Sequence, residues 1–395
     1  MQVVFLKRPV VAGAPKSEKT VNASVPFEER IAIVTVSALL SVMLLYVAAT
    51  GSFVSSSLYS SAYVPPSAGG SPIGPSPAGP LSCGATITTN TIMTNDLLNC
   101  PQNGIIIGAN NILLDCADHL IDGDADGENA GVILNAKSGV TIQNCRITQF
   151  DAGIYMVGGS KRNRIQKNTI YGTGQAGIVL MKSTYNQIAN NIVDNNEGDG
   201  IYLEKQSDYN TLSDNTANNN VHGDGFELKE SSHNTLTNNL ANLNGNGFWI
   251  QVGATYNTLM GNLANENGWC GVTLGSASYN TLLGNVANEN EKCGLWIFTT
   301  SHYNIIRGNE FARNERGLSL TGIGNLAPKQ NKIWNNRFID NEWQNAEQTP
   351  VLGLGNEWDD GTIGNYWSDW PNNPGYPTTY IIPGEGDGVD HHPIS

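Results

Sequence analysis

The feature that most constrains this chain is an eight-fold repeat, Asn-x-Ile/Leu-x-x-Asn-x-x-x-x-Asn followed by Gly-Ile/Leu/Phe-x-Leu. Its first Asn falls at Asn163, Asn186, Asn210, Asn234, Asn257, Asn280, Asn304 and Asn331, in steps of 23 to 27 residues. A fixed period of this length means a stack of supersecondary units, each burying its apolar face only against its neighbours. Within each unit, runs such as Gly225-Phe226-Glu227-Leu228 alternate with period two, so Phe226 and Leu228 point one way and Glu227 the other. The turn signals leave no room for an ordinary helix. Strands of successive units must therefore pair in parallel and in register, with Ile201, Phe226, Phe248, Val272 and Leu295 on one inward line.

Two further Asn columns run from Asn168 to Asn336 and from Asn196 to Asn341. Asn tolerates left-handed backbone and bonds locally, which suits tight corners, and stacked amides can bond from coil to coil. Over about residues 100 to 345 the chain resembles the right-handed parallel β-helix repeat proteins. A leucine-rich-repeat solenoid has an overlapping period, but its Leu-x-x-Leu-x-Leu signature is missing and each unit holds at least two strand-like runs.

Ile31 to Thr50 is a stretch of 20 residues without charge, long enough to span a bilayer core. Five basic residues precede it and no charged residue follows until Asp96. The positive-inside bias predicts a single-pass membrane protein with a cytoplasmic tail at 1–30 and everything after the span outside. A signal peptide cleaved near Val47-Ala48-Ala49 is the alternative. Residues 51–82 read as a Ser/Pro/Gly linker, 83–345 as the solenoid and 346–395 as its cap. All six cysteines follow the apolar stretch, as in an exported protein. Cys270 and Cys293 lie one repeat apart before a strand glycine, and strands about 4.8 Å apart suit a disulfide. Cys116 and Cys145 end similar runs about one coil apart, leaving Cys83 with Cys100. The net charge of −14 becomes −16 once 1–30, with five basic and three acidic residues, is set aside. Such acidity argues against nucleic acid and against polyanions held by charge alone.

After Asn345 the repeat gives way to Asn356-Glu357-Trp358 and Gly364-Asn365-Tyr366-Trp367-Ser368-Asp369. An open coil needs a cover, which Trp343, Trp358, Tyr366, Trp367 and Trp370 can supply. This tail resembles that of NosD-like β-helix proteins, except that Pro371 to Tyr380 stand where that family carries an Asp/Gly-rich segment. The family is named for copper delivery. Copper is not expected here, because His119, His222, His233, His302, His391 and His392 form no soft-ligand cluster in sequence.

The outward position two after each strand glycine reads Tyr155, Val179, Tyr202, Glu227, Trp249, Thr273, Trp296, Ser319. Large aromatics on a solvated face suit the apolar faces of sugars, or else pack under a covering segment. Asp199 and Asp224 precede strand glycines in adjacent coils and can approach to about 5 Å, near the carboxylate separation of retaining glycosidases. With Glu227 they form the candidate catalytic or calcium-holding group. Tyr202, Glu204, His222, Lys229, Trp249, Trp269 and Trp296 are the candidate substrate contacts, with Glu204 opposite Lys229 as a potential ion pair. Asp122, Asp124 and Asp126 partly resemble a calcium loop. Three functions fit: a surface polysaccharide-binding β-helix, a polysaccharide lyase, hydrolase or epimerase, or a structural adhesion protein. Resemblance to β-helix lyases implies an Arg or Lys base beside the acids, and only Lys182 and Lys229 lie nearby.

Overall fold

The computed structural model describes residues 79–127, 129–322, 326–349 and 355–395 of the 395. The tail 1–30, the apolar stretch 31–50 and nearly all of the linker lie outside the described residues. Among the described residues no helix is long and apolar enough to cross a membrane.

The repeat folds as a parallel β-solenoid with three faces. A first sheet of 12 strands runs from Ala85–Ile87 to Gln344–Thr349, and a second of 11 from Thr91–Ile92 to Lys332–Trp334. The third face begins as five strands, Leu97–Cys100 to Ile192–Val193. It thins to single bridges at Thr216, Leu240, Leu263 and Val286, then resumes at Glu310–Ala312. Alternation decides what lies inside. Ile201, Phe226, Phe248, Val272 and Leu295 follow one another in register and are all buried. Phe226 and Phe248 stack at 4.9 Å within this line.

The Asn columns are buried ladders. In each, the amide oxygen accepts both the backbone N–H and the side-chain N–H of the Asn one coil earlier, as Asn234 Oδ1 does from Asn210. The amide nitrogen also donates to a backbone carbonyl of the preceding coil, as Asn215 Nδ2 does to Ile188. One side chain thus serves several polar groups at corners where the backbone ladder is broken, groups that would be costly to bury unpaired. The glycine column of the first sheet has a steric cause. A Cβ at Gly225 would lie 2.8 Å from both the Ala241 side chain and the Gly247 carbonyl.

Disulfides join Cys83 to Cys100, Cys116 to Cys145 and Cys270 to Cys293, with Cα separations of 5.3, 4.7 and 4.5 Å. The repeat does not stop at Asn345. Asn356 accepts from Asn331, and Asn365 accepts from Asn336, so the two C-terminal motifs supply one further rung to two of the ladders. Tyr366–Trp367 pairs with Arg337–Ile339 as a strand of the third face. The end is closed by an inward stack of Phe311, Phe338, Trp367 and Tyr380 with Trp358 beside it. Trp343 is no part of this cover: it is 68% exposed, under the guanidinium of Arg316 at 4.4 Å. Buried Asp390 fixes the closing segment, accepting from the Asn365 backbone and the Trp367 indole. Burial pushes its carboxyl above the usual range.

Candidate functional site

The first sheet carries its outward side chains in one continuous register. Tyr155 pairs with Val179, and the row continues through Tyr202, Glu227, Trp249, Thr273, Trp296 and Ser319 to Glu347. This is the row that the sequence sets outward, and the phase holds through every coil. Its exposure is uneven. Tyr155, Val179, Tyr202 and Glu227 are buried, whereas Trp249 and Trp296 are half-buried. The early aromatics are therefore not a solvent-facing platform; from Trp249 on, half-buried Trp249, Trp296 and Glu347 alternate with buried Thr273 and Ser319. Tyr155 feels this burial: desolvation, then the charge of Glu204, pushes its phenol up to about 12.

Asp199, Asp224 and Glu227 come together. One carboxylate oxygen from each lies within 4.8 Å of the others, and all three residues are buried. The sequence reason is local. Two Asp precede strand glycines in adjacent coils, and Glu227 begins its outward run three residues after Asp224. Hydrogen bonds orient the group. Asp199 accepts the backbone N–H of Asp224 at 2.9 Å, and Asp224 accepts both the backbone and the amide N–H of Asn246 at 2.9 Å. Glu227 accepts from Gln251 at 2.5 Å. Three carboxylates at this separation offer hard oxygen ligands, the donor set for calcium or magnesium.

The other candidates are placed differently. Tyr202 donates to Glu204 at 3.1 Å. Glu204 and Lys229 are register partners, yet the ion pair that Glu204 makes is with Lys205, at 3.3 Å. The adjacent residue reaches the carboxylate without spanning a coil. His222 lies exposed in the turn at 221–223, outside the acid group, because that turn swings away from the strand before Asp224. Lys182 is exposed at a corner with φ of 52°. Asp122 is half-buried in a strand end and Asp124 and Asp126 are exposed in the turn that follows. Asp124 spends an oxygen on the Asp126 backbone. Among the described residues these three do not gather as a ligand set.

A cavity of about 290 Å³ opens near the C-terminal end of the row. Trp269, Lys292, Trp296, Arg316, Ser319, Thr321 and Glu347 line it, with the Cys270–Cys293 disulfide in its wall. Trp296 is fixed by stacking on Phe298 at 4.3 Å and by an indole bond to Thr321 at 2.7 Å. Trp269 is 55% exposed at the rim. Sequence reasoning found the two Trp but missed Lys292, Arg316 and Glu347. Their signal is register: Arg316 pairs with Cys293, and Glu347 is the rung after Ser319.

Sequence reasoning also missed an exposed aromatic stack at the corner before the second sheet. Tyr185, Tyr209, His233, Tyr256, Tyr279 and Tyr303 stack in succession at 4.7 to 5.0 Å, within 13° of parallel. Each immediately precedes an Asn of the first ladder, so the column was present in the repeat itself.

The NosD family, described as "Periplasmic copper-binding protein (NosD)", matches residues 83–263 and 224–371. A solenoid with this family's C-terminal motifs folded into its last rungs is what the geometry defines, and the chain belongs to the NosD family. No curated protein matches the sequence. Solved structures share the fold. The A-module of the mannuronan C-5 epimerase AlgE6 of Azotobacter vinelandii matches with a TM-score of 0.54 at 14% identity, over 71% of this chain and 78% of that one. The Dettilon tailspike protein matches at 0.55 and 14%, over 65% and 59%. The catalytic domain of a GH87 α-1,3-glucanase in complex with tetrasaccharides matches at 0.53 and 16%, over 71% and 64%.

Proposed function

We propose that this protein binds an extended polysaccharide along the outward row of the first sheet, over its open part from Trp249 to Glu347. The observation that carries this is the alternation in the row. Aromatic rings occupy every second coil, at Tyr155, Tyr202, Trp249 and Trp296, with Val179, Glu227 and Thr273 between. Trp249 and Trp296 are two strand spacings apart, about 9.6 Å. That leaves room for one sugar ring between two stacked ones in a polymer running along the solenoid. The indole N–H of Trp249 is shielded and has no acceptor among protein groups, so a sugar hydroxyl there satisfies a buried donor. The epimerase and glucanase above support the reading only as examples of this fold handling polysaccharide. The three disulfides fit an oxidising compartment outside the cell. With the apolar stretch at 31–50, they support a solenoid on the outer side of a membrane.

Copper is left out of this function. Copper favours thiolate, thioether and imidazole ligands. Here the six cysteines are all in disulfides. The one group of three His, Cys, Asp or Glu found among the described residues is all carboxylate. That donor set suits calcium.

A second reading, turnover by a lyase, hydrolase or epimerase, draws on the approach of Asp199, Asp224 and Glu227 within 4.8 Å. One experiment tests both. The full chain is assayed against a polysaccharide array and for reducing-end release, with Trp249→Ala and Asp224→Asn. Binding lost in Trp249→Ala, with no release by any form, supports the binding protein. Release abolished by Asp224→Asn supports the enzyme. A wild type that binds and cleaves nothing overturns both.

A further inference from the structure

The cavity at the end of the row narrows the ligand, and the argument rests on the glycan reading above. Its charges cancel. Lys292 pairs with Glu315 at 3.1 Å, and Arg316 reaches Glu315 at 2.6 Å through one nitrogen and approaches Glu347 at 3.1 Å through another. Two cations therefore face two carboxylates. An acidic sugar would meet Glu347, and an amino sugar would meet Lys292 and Arg316, whose charges Glu315, outside the lining, already offsets in part. A neutral ring meets neither penalty.

The hydrogen-bonding state of the same groups is incomplete in a specific way. The Nε of Arg316 is close to Glu347, yet it is buried and its N–H is not aligned on any acceptor. A buried donor left unmade costs roughly 1–3 kcal/mol. Glu347 accepts from the Ser319 hydroxyl through the oxygen that faces Arg316. A sugar hydroxyl can accept from Arg316 and donate to Glu347 at once, because it is both donor and acceptor. Neither a carboxylate nor an ammonium can do both.

Size and position set the rest. A cavity of about 290 Å³ is at the lower limit for small-molecule pockets, roughly 300–1,000 Å³. Among the described residues the strand bearing Glu347 is the last of the first sheet, so the described face gives no further rung for a polymer to follow. Trp296 is already locked by Phe298 and Thr321, which reduces the entropy cost of receiving a ring.

We infer that this pocket takes a single neutral sugar unit at a chain end or branch, with Trp296 and Trp269 contacting its apolar surface and Arg316 and Glu347 sharing one hydroxyl. Lys292 is a positioning residue, holding Glu315 against Arg316.

The test is binding of the full chain to immobilised gluco-, manno- and galacto-hexaoses and to oligogalacturonate. Free methyl hexosides serve as single-unit competitors, and Glu347→Gln and Arg316→Lys are compared with wild type. A neutral hexaose should bind, and a methyl hexoside should displace it. Each variant should weaken it about tenfold, the worth of one charge-assisted hydrogen bond. Arg316→Lys keeps the charge, so a loss there at unchanged thermal midpoint reports lost geometry and not unfolding. Binding of oligogalacturonate alone overturns the neutral assignment. Failure of methyl hexosides to compete overturns the single-unit pocket. Unchanged binding in both variants, with loss in Trp249→Ala, overturns the pocket while the polysaccharide reading stands. No binding to any glycan removes both.

Discussion

Two rows of aromatic rings run along this solenoid, and they are built on different periods. At the corner before the second sheet, six rings occur on consecutive coils, each 4.7 to 5.0 Å from the next. On the outward face of the first sheet, rings occur on alternate coils. A ring stacked on both sides has no face left for a ligand, whereas rings on alternate coils do not cover one another, and Trp296 gives one face to Phe298. The corner row therefore spends its π-surface on the fold, and the outward row, in the proposed function, keeps part of it for a partner. The backbone agrees. All six corner residues sit at φ between 56° and 60°, a left-handed conformation that costs a non-glycine residue roughly 1–2 kcal/mol. Stacking returns about 0.5–1.5 kcal/mol per pair. At the next corner the corresponding positions are Asn190, Asp214 and Asn238, residue types that tolerate this conformation, then Gly261, Gly284 and Gly308, which adopt it at no steric cost.

The comparison presupposes the inward line, and the largest effect tests that. Phe226→Asp should prevent folding, because an unpaired buried charge costs several kcal/mol, comparable to total stability. A soluble, cooperatively unfolding variant seen by calorimetry would sink the core assignment. Next in size, replacing Cys270 and Cys293 together by Ser should lower stability by about 3 kcal/mol, from the chain entropy of a 23-residue loop. Denaturant midpoints measured on this variant decide it. The corner row is sharpened by a pair of substitutions. Tyr256→Ala loses two stacking contacts but keeps the strained backbone, so it should cost about 1–3 kcal/mol. Tyr256→Gly loses the same contacts but relieves the strain, and should be the more stable of the two by about 1 kcal/mol. Equal stabilities would mean that the corner aromatics are not held there by stacking. Neither should alter glycan binding.

Much of this was legible in the sequence, and the limits have physical causes. Period and alternation determine which side chains face in, so Phe226, the Asn ladders and the Cys270–Cys293 pairing follow from spacing. Asp199, Asp224 and Glu227 were legible too, because register carries neighbours in sequence columns into neighbours in space. What register does not determine is reach and cover. Glu204 lies opposite Lys229 but takes Lys205, since a long side chain chooses among partners within its radius. His222 is two residues from Asp224 yet turns away, because a loop ends the alternation. Tyr155 and Tyr202 point outward and are still buried, which no in/out pattern encodes. The corner stack escapes alternation altogether: its rings occupy the residue before each ladder Asn, at a left-handed turn outside the in/out pattern.

The smallest effect tests the burial of the outward row by titration. Tyr155 belongs to the buried half of the outward row, where desolvation and the charge of Glu204 push its phenol up to about 12. An unfolded tyrosine titrates near 10. Between those values the unfolded chain has lost the proton and the folded chain has kept it. The stabilising contribution is full below the unfolded value and falls away as pH rises toward the folded one. Urea midpoints of the wild type should therefore drop from pH 9.5 to about pH 11, and Tyr155→Phe should flatten part of that drop. Tyr380, held in the cap beside Asp369, is shifted up as well and supplies part of what remains. If Tyr155→Phe leaves the slope unchanged, Tyr155 is hydrated. The outward row would then be open along its whole length, and the proposed glycan track would extend four coils further toward the N-terminus, back to Tyr155.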